Sequence, residues 1–201
     1  HIIDLVKTVE GLEVALPFIT KTIAIGKQVL FVGTKKQAKD IVKQAAIKVN
    51  QPFVTERWIG GMLTNVSTIS QQLKKLRDLE KGMDSGDFEK RYNKLELQRF
   101  QEEIDELNGK YGGIKDLNGK PGVVIVLDVL TDANAVREAK TLRVPVVAVV
   151  DTNVDPTPID YVIPGNDDAL KGISLFLDYF TAAVAEGSTG DKAVDTTKDE
   201  K

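Results

Sequence analysis

The chain has 201 residues with 30 acidic and 27 basic side chains, a formal charge of -3, and that near balance argues against a nucleic-acid binder of the strongly basic kind. Apolar residues at 42% and charged residues at 28% support a folded core and exclude wholesale disorder. With no cysteine, a disulfide framework and a Cys-based zinc site are both excluded, and no run of about 18 apolar residues is present to span a membrane.

The charge is unevenly placed. Residues 1–60 carry nine basic and five acidic side chains, 61–120 eleven of each, and 121–201 seven basic against fourteen acidic. A basic patch in the first third is therefore compatible with an acidic average. The opening His1-Ile2-Ile3-Asp4 is neither a methionine start nor a signal peptide, so the natural N-terminus is expected to lie further upstream.

Along the chain, short β-branched runs alternate with stretches of helical period, the signature of βα units. Ile2–Leu5 is the first expected strand, and Thr8–Ala24 the first helix, kinked or divided at Pro17 by the missing N–H. Gln28–Gly33 is a clear strand, followed by a helix over Gln37–Val49. Val66–Tyr111 breaks the alternation: it has no strand-like run, and apolar residues recur three and four apart at Val66, Ile69, Leu73 and Leu76, then at Leu97, Phe100, Ile104, Leu107 and Tyr111. Two antiparallel helices that bury these stripes against each other are expected, turning at Gly82–Asp87 and ending at Gly112-Gly113. The second would be roughly 36 Å long and part of the hairpin should project. Strands at Gly122–Asp128, Pro145–Asp151 and Asp160–Pro164 follow, with helices over Asp132–Leu142 and Asp167–Glu186. The polar stretch from Glu186 to Lys201 reads as a disordered tail.

Strands apolar on both faces suit a parallel sheet covered by helices on each side. The expected fold class is α/β, a three-layer doubly wound parallel sheet, with residues 1–65 and 112–186 forming the domain, 66–111 an inserted helical hairpin and 187–201 a tail.

An enzyme of this class would work at the carboxyl ends of its strands, where Thr34, Asp128 and Asp151 fall. They offer one reading, a site for a small phosphorylated ligand. Neither a Gly-x-x-x-x-Gly-Lys-Ser/Thr loop nor a Gly-x-Gly-x-x-Gly run is present, and Gly33-Thr34-Lys35-Lys36 lacks the second glycine of either. There is no cysteine nucleophile, and His1 is the only histidine. The basic features converge better. Lys35, Lys36 and Lys39 crowd a strand end and a helix start, where cations oppose the macrodipole but suit a phosphate backbone. Arg57, Trp58, Gly60, Gly61, Thr64 and Asn65 form a loop able to approach RNA closely, hydrogen-bond it and stack on it. Trp58 is assigned first to packing, as an anchor between hairpin and core, with RNA contact as its second reading. Lys74, Lys75 and Arg77 line the hairpin beside its apolar seam, as secondary phosphate contacts or a solvated face.

Trp58-Ile59-Gly60-Gly61-Met62-Leu63-Thr64-Asn65, with Gly33-Thr34-Lys35-Lys36-Gln37-Ala38 before it and Tyr111-Gly112-Gly113-Ile114-Lys115 after it, resembles the bacterial ribosomal protein S-two family of the small subunit. Pro121, Val124-Ile125-Val126, Asp128, Asp132, Val136, Glu138 and Val144-Pro145 are similar to its second signature. Asp151-Thr152-Asn153, Asp155-Pro156 and the run Asp160 to Ala169 are similar to its closing motif, and the resemblance extends to about Gly187. It implies a flavodoxin-like domain with a projecting coiled-coil hairpin, no catalysis and no cofactor. It also implies binding to small-subunit rRNA, neighbouring small-subunit proteins as partners, and help in docking the mRNA-binding ribosomal protein S-one, on a ribosome in bacterial cytoplasm rather than an organelle. The resemblance implies a basic N-terminal segment upstream of His1, and Asn93-Lys94-Leu95 stands where the family has a more basic stretch at the base of the second hairpin helix.

Overall fold

The computed structural model describes residues 2–190. Five parallel strands form one sheet in the order β2-β1-β3-β4-β5: β1 Val29–Val32, β2 Phe53–Val54, β3 Val123–Val126, β4 Val146–Val150 and β5 Tyr161–Pro164. This is the flavodoxin-type doubly wound order, whose switch point lies between β1 and β3. Residues alternate strictly between two cores. Val29, Phe31, Val123, Ile125, Val147, Val149 and Ile163 face α1 (Leu5–Ala24), α2 (Lys39–Lys48) and α7 (Leu170–Gly190). Leu30, Val32, Val124, Val126, Val146, Ala148 and Val150 face α6 (Ala133–Thr141), the loop around Trp58 and the base of the hairpin.

Four of the expected strands are present, and the fifth is a different one. Ile2–Asp4 is not a strand; Asp4 caps α1, accepting from the Val6 amide at 3.0 Å, so Leu5 is already helical. The sheet is instead completed by Phe53–Val54, too short for an alternating signal. Helix α1 also continues through Pro17, which is exposed, because β5 and α7 hold the two halves in line.

The insertion has three helices rather than two. α3 (Val66–Asp84) is capped by Asn65, whose side chain accepts from the Thr68 amide at 3.3 Å. A short α4 (Asp87–Arg91) follows, and α5 (Lys94–Tyr111) starts afresh at a capping box in which Asn93 and Glu96 satisfy each other's amides at 2.9 Å. The expected 36 Å helix is thus an 18-residue helix of about 27 Å, broken where Tyr92 turns extended. Phe88, Tyr92 and Phe100 pack their rings about the elbow, at centroid separations of 5.0 to 5.3 Å. As expected, α5 ends at Gly112-Gly113, where the chain tightens into a 3-10 turn, Gly112–Ile114, beside β2. A Cβ on Gly113 would lie inside van der Waals contact of the Phe53 carbonyl oxygen, so this close approach requires glycine. At 19 residues α3 is about 28 Å long and β3, at four, about 13 Å, so the hairpin outruns the sheet. At the C-terminus α7 runs on to Gly190, past the expected start of the tail; residues 191–201 lie outside the described residues.

Candidate nucleic-acid interface

The carboxyl end of β1 delivers Lys35 into the crevice at the switch point, where a neighbouring carboxylate set closes around it. Its Nζ lies 3.2 Å from Asp128 at the end of β3, 2.9 Å from Asp167 and 2.6 Å from Asp168. It also donates to the Asp167 carbonyl at 3.1 Å. Burial alone would lower the Lys35 pKa, but the three carboxylates hold it well above the ordinary lysine range. Burial pushes Asp128 up, and hydrogen bonds from Thr131, with Lys35, bring it below the usual carboxylate range. Asp167 stays above that range, chiefly through burial and the adjoining carboxylates. One ammonium serves three acids, so the Asp167 carboxylate is not fully compensated.

The Thr34 amide and hydroxyl donate to Asp132 at 3.1 and 2.7 Å, and the Asp151 carboxylate accepts from the Thr152 amide at 2.6 Å. Thr34, Asp128 and Asp151 are therefore each engaged by internal partners.

Lys39 forms an ion pair with Glu56 at 2.6 Å, while Lys36 and Arg57 are exposed and make no ion pair among the described residues. The loop after β2 is organised by a residue that sequence reading gave no role. Glu138, on α6, accepts at one oxygen from the Trp58 indole at 3.0 Å and the Gly61 amide at 2.7 Å. Its other oxygen accepts from the Leu63 amide at 3.0 Å and from the Thr64 amide and hydroxyl at 3.2 Å. Burial would raise its pKa, but these bonds bring it below the usual carboxylate range. The loop can fold around one side chain because Gly61 takes a left-handed conformation, φ 88°. Trp58 is buried with Met62 and Leu63 against the sheet, so its anchoring role is the one the structure displays. Outward lie Arg57, Gly60, Thr64 and Asn65. A signal for Glu138 was available: it sits mid-helix within the buried Ala135, Val136 and Ala139 stripe, an unusual place for an unpaired carboxylate.

On α3, Lys75 pairs with Glu103 of α5, Lys74 is exposed, and Arg77 donates to the Lys115 carbonyl. The adjoining Asp116 and Asn118 are tied to Gln28, which precedes β1, so Arg77 lies toward the amino ends of the strands. Lys36 follows their carboxyl ends. The sequence-predicted cations thus fall at opposite ends of the sheet, with the Trp58 loop on the face between them.

A doubly wound domain with its switch-point crevice filled by its own lysine, a loop braced around a carboxylate and a long helical insertion defines a structural binding module. The chain matches the family model "Ribosomal protein S2" over residues 1–187. It is 49% identical over 187 residues to small ribosomal subunit protein uS2 of Chloroflexus aggregans, covering 93% of this chain and 78% of the relative. It is 46% identical over 200 residues to small ribosomal subunit protein uS2 of Francisella tularensis subsp. novicida, covering 100% and 83%. The chain belongs to the ribosomal protein S2 family, a class of structural ribosomal proteins and not of enzymes.

Proposed function

We propose that the chain is a structural constituent of the small ribosomal subunit in the bacterial cytoplasm, holding small-subunit rRNA against the face that carries the Trp58 loop. The single observation behind this placement is the split between engaged and outward cations. Lys35, Lys39 and Lys75 face internal carboxylates, whereas Lys36, Arg57 and Lys74 project from the carboxyl edge, the loop and the hairpin, with Arg77 at the far end. RNA lying across this face would meet the outward cations as phosphate ligands and Gly60, Thr64 and Asn65 as close backbone and polar contacts. Lys36→Glu combined with Arg57→Glu should weaken binding to small-subunit rRNA at least about tenfold at fixed salt, without loss of thermal stability. Unchanged affinity in the double variant would sink the reading.

The same reading gives the chain basic protein neighbours in the subunit and a part in docking ribosomal protein S-one. Its support is the resemblance together with the acidic carboxyl third, exposed at Asp155, Asp160, Asp168, Asp178 and Glu186. Subunits reconstituted without the chain should retain less S-one than complete ones; equal retention removes this part of the proposal. No helix among the described residues is long and apolar enough to cross a membrane.

A further inference from the structure

We infer that Glu138 is a positioning residue for RNA binding: its carboxylate fixes both the Arg57–Asn65 loop and the direction in which α3 leaves the domain. The inference rests on the RNA face proposed above and identifies what shapes it.

Five donors converge on the two Glu138 oxygens, from Trp58, Gly61, Leu63 and Thr64, at 2.7 to 3.2 Å. Successive amides aimed at one anion form a nest, the arrangement that elsewhere receives a phosphate. Here the anion is built in. The Gly61, Leu63 and Thr64 amides are consequently turned inward, and the exposed residues of the loop are Arg57, Gly60, Thr64 and Asn65.

The consequence reaches the hairpin through a short chain of bonds. The Asn65 amide donates to the Gly61 carbonyl at 2.8 Å, and the Asn65 side chain caps the first turn of α3. Gly61 is itself held by Glu138 at 2.7 Å. The residue that shapes the loop thus sets the start of the helix carrying Lys74 and Arg77. A carboxylate is required because every facing group is a donor. A glutamine of the same shape would bring an NH2 against N–H groups and leave some of them unpaired.

The test uses Glu138→Gln, Arg57→Ala and the double variant in the full chain. Three quantities are read: amide hydrogen exchange, affinity for small-subunit rRNA at fixed salt, and thermal stability. Glu138→Gln should speed exchange at Gly61, Leu63 and Thr64 by at least about tenfold, leave the β3 and β4 amides unchanged, and weaken rRNA binding about tenfold. If Glu138 acts through the loop and the start of α3, its effect on affinity should be clearly smaller once Arg57 is already alanine, because the share carried by Arg57 is already gone. Unchanged exchange at the three loop amides would overturn the positioning role. Additive affinity losses in the double variant would also overturn it, by reducing Glu138 to general stability. If Arg57→Ala alone leaves affinity intact while exchange responds as expected, the RNA-face reading fails and the inference with it, but the brace itself is confirmed as structural only. Should Glu138→Gln fold poorly, Trp58→Phe removes one donor from the same nest and must reproduce the loop-specific exchange.

Discussion

Replacing Lys35 by methionine keeps most of the side chain's length and apolar stem and removes the ammonium that three carboxylates share. Asp128 and Asp167 side chains are each 7% exposed and Lys35 17%, whereas Asp168 is 75% exposed and counts for little. Breaking a buried pair by removing one partner costs about 3–5 kcal/mol, and the partial exposure of Lys35 puts the expected loss at the low end, about 3 kcal/mol. For a domain of this size that corresponds to a fall in Tm of about 6–12 °C. The loss should depend on pH in a defined sense. The raised Lys35 pKa keeps the ammonium charged across the neutral range, so its contribution is complete there and disappears only in strong alkali. The lowered Asp128 pKa means that its contribution is complete above the ordinary aspartate range and lost as pH falls through the lowered value. Asp167, raised by burial, has the opposite sign: its ionisation costs stability, which protonation restores. Without the cation the carboxylates repel one another, so the deficit of Lys35→Met is largest near pH 7 and narrows toward about pH 4. Urea and thermal unfolding of parent and variant at the two pH values measure this. Equal stability at pH 7, or a deficit that widens on acidification, would refute the reasoning.

Three further perturbations address other joints of the molecule. Gly113→Ala places a methyl against the Phe53 backbone carbonyl, which cannot swing aside, and should cost about 1–3 kcal/mol in chemical denaturation. Asn93→Ala removes the capping box that starts α5; about 1 kcal/mol is expected, with exchange at the Glu96 amide rising while the sheet is unaffected. Trp58→Phe keeps an aromatic ring in the core but leaves Glu138 one donor short, a charged hydrogen bond whose loss should cost about 1.5–3 kcal/mol by urea unfolding.

The βα alternation was legible because the parallel strands are buried on both faces: Val123–Val126 and Val146–Val150 can be nothing but interior strands. Ile2–Leu5 misled because the same apolar richness serves an exposed helix start, and the Asp4 cap that decides the matter is a single local bond. Phe53–Val54 escaped notice because two residues have no period; β1 and the Gly113 approach make it a strand. At the candidate site, the Trp58 loop and the clustered lysines were visible from residue type, but which cations face outward was not. Lys35 and Lys36 are adjacent in sequence and alike in chemistry. What separates them is the position of Asp128 and Asp167, which lie 93 and 132 residues away from Lys35 and meet it only through the crossovers.

That separation yields the sharpest distinction available in solution. A lysine already neutralised by a protein carboxylate releases no counterion when RNA binds, unless its internal pair is first broken. The seven cations singled out from sequence, Lys35, Lys36, Lys39, Arg57, Lys74, Lys75 and Arg77, would together give a slope of log affinity against log salt of about -5 to -6. The four without a carboxylate partner within pairing distance among the described residues, Lys36, Arg57, Lys74 and Arg77, would give about -3. A titration of rRNA binding by the full chain between low and moderate salt discriminates the two. A slope near -3, reduced by about one in Lys36→Gln and unchanged in Lys39→Gln, is the outcome expected from the pairing. A slope near -6 that falls equally in both variants would mean that the Lys39–Glu56 pair opens on RNA and that the outward set is larger than the isolated chain displays.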